Sequence, residues 1–111
     1  MEDERARRIG RNEALFREVN ERVHGINAEF GDRLTEAQFV CECGNDDCTA
    51  RIVVPVAEYE RIRSDPTLFV ICPGHESVAV ESVVEEREGY HVIRKRAGAP
   101  RRIAEQTDPR P

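Results

Sequence analysis

Tryptophan is absent from this chain, and four Phe and two Tyr are its whole aromatic complement. Against that, 35% of the 111 residues are charged. A small domain with so little large apolar surface is marginal on burial alone, and a metal or another cross-link is the usual supplement. No apolar run approaches the roughly 18–20 residues that span a membrane. Met1-Glu2-Asp3-Glu4-Arg5 opens on acids and lacks the apolar stretch of a secretory signal. The chain therefore reads as cytoplasmic, a setting where clustered cysteines more often mean metal or redox chemistry than disulfides. Also missing are H-E-x-x-H, G-x-S-x-G and any phosphate-cradling glycine loop. The cysteines precede the histidine, and His75 adjoins Glu76, so the zinc-deaminase order fails as well. These absences argue against an enzyme.

The chain does have two cysteine-bearing loops. Phe39-Val40-Cys41-Glu42-Cys43-Gly44-Asn45-Asp46-Asp47-Cys48 places three thiols within eight residues, and Cys72-Pro73-Gly74-His75-Glu76 follows. On a strand, residues i and i+2 share a face, so Cys41 and Cys43 can reach one ion, and Gly44 permits the bend that returns Cys48. Three thiolates and an imidazole form a closed tetrahedral ligand set for a structural Zn2+. His75 is the preferred fourth ligand, because a Pro-Gly turn can aim it at the first loop, and Cys72 is the alternative. Paired disulfides would need an oxidising compartment, and the spacing matches neither of the common ferredoxin runs.

Residues 4–30 read as an amphipathic helix with Ile9, Phe16, Val23 and Phe30 seven apart and Asn12, Val19 and Ile26 between them. The apolar members of this stripe either pack on the chain's own sheet or form a seam with another helix. Glu13 with Arg17 and Glu18 with Arg22 are acid-before-base pairs at i, i+4, while Gly10 and Gly25 weaken the helix and allow a break near Gly25. A strand is expected at 39–41, another at 51–54, a short helix at 56–63 after Pro55, and a buried strand at 68–71. A hairpin then runs over 78–96 with its turn at 87–89. Residues 98–111, rich in Pro and Arg, read as a disordered basic tail. The expected class is α+β: an N-terminal helix (1–33), then a small zinc-stabilised antiparallel sheet with one short helix (34–97).

With these residues in view, the chain resembles a group of small zinc-binding-type bacterial proteins typical of high-GC genomes. The likeness rests on residues 11–22 (RNEALFREVNER), Cys41-Glu42-Cys43 with Cys48, Glu58-Tyr59-Glu60, Phe69-Val70, Pro73-Gly74-His75-Glu76 and Thr107-Asp108-Pro109-Arg110. In similar sequences the position of Cys72 is apolar, so the resemblance implies His75 as fourth ligand. It implies no particular activity.

Charge narrows the partners. Residues 31–93 carry a net −8 and residues 94–111 a net +4, within −5 overall. Phosphate backbones attract basic surfaces, so an acidic core suits nucleic acid poorly. The leading expectation is a structural-zinc adaptor that binds a protein, or itself, through the N-terminal helix. The alternative is a nucleic-acid-associated regulator using Arg94-Lys95-Arg96 and Arg101-Arg102, and the third is an enzyme with an open zinc site.

Overall fold

A computed structural model describes residues 2–29 and 35–110. Its order is α1 (Glu2–Glu29), β1 (Glu36–Val40), β2 (Arg51–Pro55), α2 (Val56–Arg63), β3 (Leu68–Ile71), β4 (Glu81–Arg87), β5 (Tyr90–Lys95) and α3 (Ala99–Gln106). The class is α+β as expected, with two antiparallel sheets in place of one: β1-β2, and β3-β5-β4. No helix among the described residues is long and apolar enough to cross a membrane.

The β3-β5-β4 sheet is covered on both faces, which is why every residue of β3 is buried. Leu68, Val70, Tyr90 and Val92 face one core with Phe39, Ile52, Val54, Tyr59 and Ile62 from β1, β2 and α2. Phe39 and Tyr59 stack there with ring centroids 4.2 Å apart. Phe69, Ile71 and Ile93 join a second cluster with Cys41, Cys43 and Ala104. The period-2 alternation of a strand thus divides seven aliphatic and aromatic positions of β3 and β5 between two cores.

Helix α1 buries polar side chains at its centre. Among its described side chains Glu13, Arg17 and Asn20 are fully buried, while Leu15, Val19 and Ile26 are exposed at 57%, 38% and 54%. Arg17 donates to the carbonyls of Pro66 (2.6 Å) and Ala104 (2.8 Å) and lies over the Phe69 ring, 4.3 Å from its centroid. Lys95 on β5 reaches Glu13 and also its cross-strand partner Glu81, at 2.9 Å from the latter. Three buried bases, Arg17, Arg63 and Lys95, match three buried acids, Glu13, Glu42 and Glu81. Desolvation makes such pairing a weak source of net stability, but each charge demands its partner. The polar face thereby fixes the register of α1 on the sheet.

Three expectations are corrected. The tail is not disordered over its described length: Ala99–Gln106 is helix, opened by Pro100 in its first turn. Helix α3 packs through one large apolar residue, Ile103, on Gly10 of α1, where an added Cβ would come within 3.0 Å of it, and buries Ala104 in the second cluster. Beyond it, Arg110 forks across Glu21 at 2.8 Å and Glu60 at 3.0 Å. The hairpin begins at Glu81 rather than residue 78, because Val80 and Glu81 donate their N–H groups to Ser77 in a turn. Helix α1 also continues through Gly25 without a break.

Burial pushes the Glu13 carboxyl well above its ordinary value of 4.5, Glu81 adds to the shift, and Lys95 opposes it. The folded chain therefore keeps a proton that the unfolded chain has released, and stability falls as pH rises from that ordinary value through the folded-state value. Glu13→Gln mimics the protonated form. In metal-saturated protein its melting temperature should gain on the wild type as pH rises, and parallel melting curves against pH would assign the slope elsewhere. Lys95→Met leaves two buried carboxyl groups without their cation and should cost about 3–5 kcal/mol in chemical denaturation.

Candidate metal centre

The chain remains extended past β1. The Cys41 N–H donates to the Ala50 carbonyl at 3.0 Å and the Glu42 N–H to the Val70 carbonyl at 2.8 Å, so this segment bridges the two sheets. Extended backbone turns Cys41 and Cys43 to one side and Glu42 to the other. The loop then closes on itself. Asn45 Oδ1 accepts from the Asp47 N–H at 3.0 Å, and the Asn45 carbonyl accepts from the Cys48 N–H at 3.1 Å. Gly44 serves close approach: a Cβ there would meet Ile9 Cγ2 at 2.5 Å. Asn12 Nδ2 donates to the Gly44 carbonyl at 3.0 Å, so α1 holds this loop from its other side.

The second loop is a tight turn in which the Cys72 carbonyl accepts from the His75 N–H at 3.1 Å. Gly74 has φ +87°, and Pro followed by a positive-φ Gly is the signature of a type II turn. The turn brings His75 Nδ1 to 3.6 Å from Cys41 Sγ and 3.6 Å from Cys48 Sγ. One donor atom from each of Cys41, Cys43, Cys48 and His75 lies within 4.8 Å of all the others. For a tetrahedral ion with bonds of about 2.3 Å to sulfur and about 2.0–2.1 Å to nitrogen, the S···N edge is about 3.6 Å and the S···S edge about 3.8 Å. The donor set fits such an ion with about an ångström of contraction at its widest. Cys72 stands outside the group and offers its backbone N–H to Cys41 Sγ at 3.1 Å. All four cysteines are free.

The thiols already share charge unevenly. The Cys41 thiol hydrogen bond is the main influence pulling Cys43 down to about 5. The same contact, with burial, drives Cys41 upward, and partial burial raises Cys48. Thiolates packed this closely repel one another, so a divalent cation would take the place of the shared protons.

Glu42 is the important residue that the spacing argument passes over. Between two ligands on a strand it must point inward, and a carboxylate pointing inward needs partners. Its oxygens accept from Asn20 Nδ2 at 2.8 Å and the Val70 N–H at 3.0 Å, with Arg63 at 3.9 Å. Asn20 also pairs reciprocally with the backbone of Val40. The signal was available in the Cys-Glu-Cys alternation itself.

The proposed helix seam divides. Ile9, Phe16 and Val23 are half-buried, Val19 and Ile26 are exposed, and Phe30 lies outside the described residues. Ile9 meets Gly44 and Val23 packs on the first core. The basic segment is dispersed as well. Lys95 is buried with Glu13 and Glu81, Arg94 pairs with Asp65 at 3.1 Å, and Arg101 is half-buried with a bond to the Lys95 carbonyl. No protein-family model, curated protein or solved structure matches the chain.

His75→Ala should lower metal affinity by at least tenfold, whereas Cys72→Val should bind metal as the wild type does. Competition with a chromophoric chelator measures both. Equal losses in the two variants would place Cys72 among the ligands.

Proposed function

We propose that this chain is a zinc-stapled protein-interaction module. Zinc is held by Cys41, Cys43, Cys48 and His75, and the outward apolar face of α1 is the docking surface. The carrying observation is the pair of 3.6 Å separations from His75 Nδ1 to two cysteine sulfurs on a different loop. They equal the tetrahedral edge before any ion is added. Three sulfurs and one imidazole suit zinc by donor type. A fourth protein donor fills the position that a catalytic site would leave for water or substrate, which favours a structural ion over a reacting one.

The docking role rests on α1. A helix that buries Glu13, Arg17 and Asn20 and shows Leu15, Val19 and Ile26 to solvent departs from the usual polarity at these six positions. Neighbouring exposed apolar side chains of this kind are a common mark of interaction sites. The zinc would hold the loop that α1 leans on through Ile9 and Asn12, and so would keep the helix in place.

Purified protein should contain one zinc per chain, and cobalt substituted into the site should give the spectrum of a closed tetrahedral centre with thiolate charge transfer, unchanged by added azide. Removing the metal with a chelator should abolish the cooperative thermal transition or lower it steeply. A metal-free protein with an unchanged melting curve would rule out the staple.

A further inference from the structure

The exposed stripe of α1 is its own complement. At 3.6 residues per turn, Leu15, Val19 and Ile26 fall within about 40° of arc, and the centre of the buried Glu13, Arg17 and Asn20 face lies roughly 150° away. The stripe is also charged in a symmetrical way. Glu18 and Arg22 flank Val19, both are largely exposed, and within one copy they are joined across 3.3 Å. Gly25, next to Ile26, has nothing within 4 Å of where a Cβ would stand.

We propose that a second copy of this chain occupies the stripe, with the two α1 helices antiparallel about a two-fold axis between residues 20 and 21. This inference rests on the docking role given to α1 above. An isologous pair needs one patch that matches itself when reversed. In this register Leu15 lies level with Ile26 of the second copy at both ends, and Val19 lies level with Arg22 of the second copy on both sides of the centre. The aliphatic stem of Arg22 covers Val19, and its guanidinium reaches Glu18 of the second copy, displaced by about 1.5 Å along the axis. The two-fold makes that ion pair twice. A parallel pair would set Arg22 against Arg22 and Glu18 against Glu18, and like charges oppose that orientation. Leu15 to Ile26 covers only about 16 Å of helix, so the dimer is small and depends on concentration.

The test is sedimentation equilibrium on the full chain loaded with zinc, over a wide concentration range. The expected mass rises toward twice the 12.7 kDa of one chain, and Val19→Glu holds it at one chain while zinc content stays at one per chain. The decisive arm mixes two charge variants. Glu18→Arg alone faces arginine with arginine in the dimer, and Arg22→Glu alone faces glutamate with glutamate. Each should dissociate roughly tenfold more readily than the wild type, the scale of two exposed ion pairs replaced by repulsion. An equimolar mixture restores both pairs and should recover the dimer. The unfavourable contact within each variant helix is the same in monomer and dimer, so it cancels. A wild-type mass of 12.7 kDa at every concentration overturns the pairing and gives the stripe to a different protein. Variants that dimerise separately as well as mixed overturn the antiparallel register. Zinc is assayed on the same samples, so its absence from the wild type refutes the metal reading while the mass still decides the pairing.

Discussion

The rest of the structure depends on one alternation, Cys41-Glu42-Cys43. Three consecutive extended residues send two thiols to one side of the backbone and a carboxylate to the other. The thiols meet His75 and Cys48, while the carboxylate meets α1 through Asn20, β3 through the Val70 N–H and α2 through Arg63. An ion that fixes the two sulfurs also fixes the backbone that carries Glu42. The candidate metal centre and the helix dock are therefore two faces of one strand segment, and neither can move far without the other.

That coupling explains why a chain with few aromatics tolerates a polar helix interface. Packing alone would leave an amphipathic helix free to slide by a turn, because one apolar contact differs little from another. Glu13, Arg17 and Asn20 have distinct partners on β5, on the Pro66 and Ala104 carbonyls and on Glu42. A shifted register strands each of them in a dry interior, where an unpaired charge is far costlier than a lost apolar contact. Gly10 and Gly44 sharpen the same choice sterically, since α1 comes too close to Ile103 and to the Cys41–Cys48 loop at those points for any larger residue to fit unmoved.

The sequence made α2 and β3 legible because Pro55 opens the helix and residues 68–71 are a continuous apolar run, and the structure places them at Val56–Arg63 and Leu68–Ile71. The cysteine–histidine set was legible for a chemical reason, since few roles other than metal binding gather three thiols and an imidazole on two turns. The direction in which α1 faces was not. Heptad reading assumes that apolar positions are the buried ones, and here Val19 and Ile26 are exposed while Glu13 and Arg17 are dry. Helix α3 escaped because composition reads Pro and Arg as disorder, although Ile103 lies against Gly10 of α1 and Ala104 is buried in the second core. The basic segment misled for a related reason: summed charge ignores that Lys95 is consumed by two buried acids.

On the zinc reading, the alternation also gives α1 a place in the thermodynamics of metal binding. A metal that binds the folded chain alone stabilises whatever arrangement its ligands require, and Cys41 and Cys43 require Glu42 where Asn20 can reach it. Coupling of this kind is reciprocal: whatever steadies α1 from outside must tighten the hold on zinc by the same factor. The apolar stripe and the cysteine cluster lie on opposite sides of the helix–strand contact, yet Asn20 and Glu42 form a continuous physical link between them. On the proposed function, the chain would act as a single lever whose fixed end is the metal and whose working face is the outside of α1.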